Sequence, residues 1–121
     1  MEAEKIMSLA ANALNGKKAL ELNVLRISDL TVFTDYFVLA TATSSTHVRA
    51  LADEVEEKLR EAGVSPGHIE GKSNGWIVLD YGAVVVHVFS RDQRAFYDLD
   101  KMWADGEPVA LDKILILGEG E

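Results

Sequence analysis

The sequence predicts an α/β (α+β) domain in which a single-layer mixed β-sheet is flanked by helices. Three observations lead there. Apolar residues recur at helical spacing near residues 3–16 and 45–62. Four segments, 19–25, 36–42, 76–81 and 83–89, have the alternation or continuous apolar character of strands. A helix between the second and third strands suits a parallel crossover, and a Tyr81-Gly82 turn between the last two suits a hairpin, so parallel and antiparallel pairs should share one sheet.

In order, Ile6, Leu9, Ala10, Ala13 and Leu14 make the first helical stripe, with Glu2 and Glu4 at its positive end, Lys17 and Lys18 at its negative end and Gly16 as its stop. Leu20, Leu22 and Val24 then alternate with Glu21 and Asn23 as a half-buried strand, and Ser28-Asp29-Leu30 reads as a turn. The run Tyr36–Ala42 is apolar enough to be covered on both faces. Ser44, Ser45 and Thr46 are N-cap candidates for a second helix whose stripe is Val48, Leu51, Ala52, Val55, Leu59 and Ala62. Glu54–Lys58 and Glu56–Arg60 are spaced to pair along it, and Gly63 ends it.

A loop from Ser65-Pro66-Gly67 to Ser73-Asn74-Gly75 follows, then the two strands, with Trp76–Tyr81 as the expected parallel partner of Tyr36–Ala42. If Val84, Val86 and Val88 face one side, Val85, His87 and Phe89 face the other. Ser90 and Gln93 have capping-box spacing and open a third helix to about Trp103, with Phe96, Leu99, Met102 and Trp103 as its inward stripe. Asp105-Gly106-Glu107-Pro108 breaks the chain. Residues 1–110 form one domain and 111–121 a C-terminal tail, in which Leu111–Leu117 is a short edge strand or docked segment and the last four residues fray.

Composition excludes several classes. With no cysteine, disulfides and thiolate metal sites are absent. No apolar run approaches a membrane span, and the start resembles no signal peptide, so the cytoplasm is the expected compartment. A net charge of −8 with no basic cluster beyond Lys17-Lys18 argues against free nucleic acid as the main ligand; the charge either suits a basic protein partner or simply keeps the protein in solution. No phosphate-cradling glycine motif or nucleophile elbow is present. His68 and Glu70 would need a third ligand, such as His87, to hold a metal, and no metal or cofactor is expected.

The segment Glu70–Trp103 concentrates interaction chemistry: it holds both tryptophans and two of the three tyrosines, and Trp, Tyr and Arg dominate binding energy at interfaces. Within it, His87 is either hydrogen-bonded in the sheet, with Asp80 as partner, or part of a ligand-facing platform with Trp76. Arg94, Tyr97 and Trp103 are either core or an exposed cluster at the domain edge. Asp98 and Asp100 are spaced as a two-metal pair only on a strand; on a helix they diverge, which leaves them as solvated rim residues.

Asp35-Tyr36-Phe37-Val38, Ser44 with Val48 and Ala50-Leu51-Ala52, Glu70-Gly71, Trp76, Asp80-Tyr81-Gly82, Val86-His87-Val88-Phe89, Arg94, Tyr97, Leu99 and Trp103 together resemble the ribosomal silencing factor (Iojap-related) family over about residues 3–110. The resemblance implies a sheet of nucleotidyltransferase-like topology without that catalytic function. It also implies a cytoplasmic translational repressor that binds the universal fourteenth protein of the large ribosomal subunit and blocks joining of the small one. Trp76 and Tyr97 would be anchors and Leu99 apolar fill, with Asp80, Asp98 and Asp100 as acidic rim and His87 and Arg94 orienting the platform. Trp103 belongs to the same set. Ala83, where many relatives carry an acid, and Thr41-Ala42-Thr43, where a glycine is usual, depart from the pattern. The rival readings are a nucleotidyltransferase-like enzyme using Asp98 and Asp100, and a homodimeric scaffold.

Overall fold

The computed structural model describes residues 1–71 and 75–115. The elements are α1 (Ala3–Gly16), β1 (Leu20–Arg26), β2 (Tyr36–Ala42), α2 (Ser45–Glu61), β3 (His68–Glu70), β4 (Trp76–Asp80), β5 (Val84–Ser90), α3 (Arg91–Tyr97), α4 (Leu99–Met102) and β6 (Glu107–Pro108), followed by a 3₁₀ turn at Leu111–Lys113. Their strands form one six-stranded mixed sheet in the order β3-β4-β5-β2-β1-β6, flanked by the helices. No helix among the described residues is long and apolar enough to cross a membrane.

The parallel pair is β2 with β5, in register from Tyr36↔Val84 to Ala42↔Ser90. The expected partner, β4, instead lies outside β5 and pairs with it antiparallel from Trp76↔Phe89 to Asp80↔Val85. Side-chain character explains the choice. β5 is apolar on both faces and takes the interior position, whereas β4 buries only alternate residues. The two edges are short: β3 has three residues with His68 and Glu70 exposed, and β6 has two, one of them Pro108. Both lie in segments expected to be loop or chain break, and both pair through registers only two or three residues long.

α1 and α2 cover one face of the sheet. Ile6, Ala10, Leu14, Val48, Leu51, Val55 and Leu59 pack there on Val24, Val38, Ala40, Ile77, Leu79, Val84, Val86 and Val88. The α2 stripe is the expected one except for Ala62, which is exposed at the C-cap, and Ser44 is the N-cap, with Oγ accepting from His47 N at 3.1 Å. Glu54 pairs with Lys58 at 3.9 Å, while Arg60 takes Glu57 rather than Glu56. α1 runs through Gly16; Lys18 takes the left-handed backbone instead, at φ 64°, and Ala19 N closes the turn on Leu14 O. The described part of the tail docks on α1, where Asn12 Nδ2 donates to Ile114 O at 2.8 Å. Ser73, Asn74, Ile116, Leu117 and the four terminal residues lie outside the described residues.

The third helix differs most from expectation. It breaks at Asp98, which sits in the left-handed region at φ 47° and caps α4 through its side chain. The break resets the helical phase, so Leu99 and Trp103 turn to the sheet. Phe96 and Met102, expected inside, are exposed.

Gly71 allows a close approach behind Trp76. Its φ is +82°, and a Cβ there would stand 2.0 Å from the Trp76 carbonyl oxygen. Gly71→Ala should therefore destabilise the protein by about 2 kcal/mol or more, measured as a lower urea midpoint with an unchanged slope.

Candidate functional site

The sheet face opposite α1 and α2 carries a smaller core. Leu25, Ile27, Leu39 and Phe89 are buried there, with Phe37, Trp76, Leu99 and Trp103 packed against them half-buried. Strand alternation places these residues together: Phe37 and Leu39 from β2, His87 and Phe89 from β5, and Trp76 from β4 opposite Phe89. The short α3–α4 segment covers only part of the face.

What results is a continuous row of rings. Phe96 meets Tyr97 edge-on at 5.0 Å between centroids, and Tyr97 lies 4.5 Å from Trp76. Trp76 stacks on Phe89 at 5.0 Å and neighbours His87 at 6.0 Å. His87 meets Phe37 at 4.8 Å, and Phe37 meets Trp103 at 5.2 Å, both edge-on. Such pairs each add about 0.5–1.5 kcal/mol beyond area burial and hold one another's orientation. One end of the row is open to solvent, with Phe96 78% and Tyr97 45% exposed.

His87 sits in the middle of the row. Its hydrogen-bond partner is Trp76, not Asp80: Trp76 Nε1 donates to His87 Nδ1 at 3.2 Å. Asp80 Oδ1 instead accepts from Gly82 N at 2.8 Å and shapes the hairpin turn. Burial pushes the His87 pKa down to about 4, against a weaker opposing pull from the Asp80 charge. The ring is therefore neutral at physiological pH, and with Nδ1 accepting, its proton belongs on Nε2. That atom is buried and has no partner.

Arg94 lies beneath the ring row rather than on it. Its Nε and Nη2 grip Asp100 at 3.1 and 2.9 Å, and Nη1 donates to Thr41 Oγ1 at 3.0 Å and to Glu21 O. Glu21 offers that carbonyl because β1 bulges there, with φ 48° and a register shift between Leu20 and Asn23. Asn23 Nδ2 adds a bond to Asp100 at 3.2 Å. The hydrogen bonds from Arg94 hold the Asp100 carboxyl below its usual pKa. Asp98 receives Lys101 N at 3.4 Å as the α4 cap. Both carboxylates of the supposed metal pair are thus bound within the fold, and they border an open groove of about 790 Å³ beside Arg94. Among the described residues no cluster of three or more metal-ligating side chains occurs.

Of the residues singled out by sequence, Trp76, His87, Tyr97, Leu99 and Trp103 share this face. Arg94, Asp98 and Asp100 form its support, and Asp80 stands at the hairpin end. Alternation along β5 puts Phe89 on the face of His87, but sequence reasoning passed over Phe37, Glu21, Asn23 and Thr41. For Phe37 the alternation of β2 was an available signal; the other three meet Arg94 or Asp100 through a β1 bulge and a long-range contact with no sequence mark.

The structure is thus an α/β domain whose mixed sheet is closed by helices on one face and bears a half-covered aromatic row on the other. Residues 1–119 match the family model described as ribosomal silencing factor during starvation. The chain is 34% identical over 116 residues to ribosomal silencing factor RsfS of Halalkalibacterium halodurans, covering 95% of this chain and 99% of that one. It is 34% identical over 113 residues to RsfS of Bacillus subtilis, covering 93% and 96%. The chloroplastic protein Iojap of Zea mays is 35% identical over 107 residues, covering 84% of this chain and 44% of that longer one. A crystal structure of a Chromobacterium violaceum protein superposes with a TM-score of 0.83 at 34% identity, covering 100% of this chain and 98% of that one. The chain belongs to the ribosomal silencing factor family.

Two predictions follow from the geometry. Arg94→Ala strands Asp100 and Thr41 and should cost roughly 2–3 kcal/mol of stability. Arg94→Lys should recover only part of it, since an ammonium cannot make the two-pronged contact; chemical unfolding of both variants measures this. For His87, the folded pKa of about 4 lies below the ordinary 6.5. The unfolded chain then binds more protons between those values. The neutral ring's contribution is complete above about pH 6.5 and is lost as pH falls toward 4, by up to roughly 3 kcal/mol. His87→Phe should flatten that limb of the stability–pH curve.

Proposed function

We propose that this protein represses translation by docking its aromatic face on the large ribosomal subunit and blocking the small subunit from joining. The observation that carries the reading is the uncovered Phe96–Tyr97–Trp76 end of the ring row in a member of this family. Rigid aromatics open on one side and packed on the other are the usual anchors of protein interfaces. The partner is a basic ribosomal protein, the universal fourteenth protein of the large subunit. The chain's charge of −8 suits such a partner, because opposite potentials speed encounter.

Repression is then steric. A folded domain of 13.3 kDa, seated where the subunits meet, occupies space an intersubunit contact needs. Nothing covalent is asked of the face. Trp76 and Tyr97 supply apolar area at low entropic cost; His87 holds Trp76 by a hydrogen bond, and Arg94 fixes the segment that carries Tyr97.

Sedimentation of purified subunits with and without the protein tests this. The wild type should travel with the large subunit and reduce the joined-ribosome peak. Tyr97→Ala should weaken that binding by about tenfold or more while costing only about 1–2 kcal/mol of stability, so that the protein stays folded. Trp76→Ala should weaken it further and also cost some stability, since it removes the donor to His87. A wild-type protein that stays at the top of the gradient, with joining unaffected, would falsify the reading.

A further inference from the structure

The loop between β1 and β2 has its chemistry reversed relative to an ordinary surface loop. Leu30, Val32 and Phe33 point to solvent, with Val32 96% and Phe33 88% exposed. Meanwhile Ser28 Oγ and Thr34 Oγ1 are buried with no hydrogen-bond partner. The Nε2 of His87 is likewise buried and unpartnered. His87 and Thr34 are 6% and 7% exposed, and both line a cavity of about 260 Å³ together with Phe33, Phe37, Asp80 and Trp103. A buried donor or acceptor left unpaired is costly, and such groups normally find a partner. Here the residues that carry two of them, Thr34 and His87, line one small, largely apolar cavity.

Size, charge and position narrow the occupant. The cavity is below the roughly 300 Å³ at which small-molecule pockets begin, and it has room for one inserted side chain. Asp80 in its lining disfavours an anion. The neutral ring of His87, with its proton on Nε2, offers a donor and so disfavours a cation. A neutral group with an oxygen acceptor fits both. Two of the walls, Phe37 and Trp103, belong to the ring row, so the cavity continues the docking face. The loop's ends are fixed by Ile27 N to Asp35 O at 2.8 Å and Asp35 N to Ala83 O at 2.9 Å. Val32–Thr34, between them, belongs to no helix or strand. Because Nε2 and Oγ1 are closed off from solvent, this stretch must shift for an occupant to reach them.

We infer that the cavity beneath the β1–β2 loop receives one neutral, hydroxyl- or amide-bearing side chain of the ribosomal protein, which bonds His87 and Thr34 while Val32 and Phe33 pack against its surroundings. The inference rests on the docking reading above and gives that face a polar specificity contact beside its aromatic anchors.

Thr34→Val removes the hydroxyl while keeping the shape, and Phe33→Ser removes the exposed tip. Each is compared with wild type and Tyr97→Ala for melting temperature and for affinity to purified large subunits. Thr34→Val should melt at the wild-type temperature or higher, because an unpaired buried hydroxyl is gone, yet bind about fivefold more weakly. Phe33→Ser should bind about tenfold more weakly at unchanged melting temperature. If both bind like wild type while Tyr97→Ala does not, the cavity is unused and the docking face stands. A Thr34→Val protein that melts lower and binds normally assigns the hydroxyl to the fold alone and also overturns the inference. Failure of the wild type itself to bind removes both readings together.

Discussion

The grip of Arg94 on Asp100 is the interaction on which the rest of this face depends. It joins three separately placed pieces: the β1 bulge through Glu21 O, the β2 strand through Thr41, and α4 through Asp100. The contact is largely withdrawn from solvent, with the Arg94 side chain 12% exposed, so its charge is bound rather than screened. Without it, a seven-residue helix and a four-residue helix separated by a left-handed residue would have little to hold them on the sheet. Because Tyr97 and Trp103 ride on that segment, the geometry of the aromatic row follows from a polar contact beneath it.

The two faces of the sheet divide the labour. α1 and α2 close one face with a large aliphatic core, which supplies most of the apolar burial. The other face is built of rings and covered only in part. Rings keep their orientation through edge-on and stacked contacts even when half exposed, which aliphatic side chains cannot do. The neutral His87 fits this division. It accepts from Trp76, packs against Phe37, and avoids placing a charge in the middle of an apolar row.

The architecture could be read from residue pattern because long, periodic segments state their own burial. The stripes of α1 and α2, the alternation around His87 and the turn at Gly82 are local signals, and their places in the structure agree with them. Elsewhere the deciding forces are not local. β5, not β4, pairs with β2 because two strands compete for the place beside it and β5 is the one apolar on both faces. The helix breaks at Asp98 because reaching across to Thr41 and Glu21 requires Arg94 and Asp100 to meet, which a continuous helix would not allow at that spacing. β6 pairs through two residues in a stretch whose Gly and Pro mark only a chain break. Of the candidate site, the rings of Trp76 and Tyr97 stand out by residue type, while the β1–β2 loop does not, since its exposed Val32 and Phe33 look like ordinary strand residues in sequence.

The most direct test of the central claim is site-specific photocrosslinking from two opposed positions. A photoreactive residue at Phe96, on the open end of the ring row, and one at Lys58, on α2 over the opposite face, would each be incubated with purified large subunits. The docking account predicts a crosslink from position 96 to a basic protein of that subunit and none from position 58. A crosslink from position 58 alone would mean that the helical layer meets the ribosome and that the aromatic face has another use.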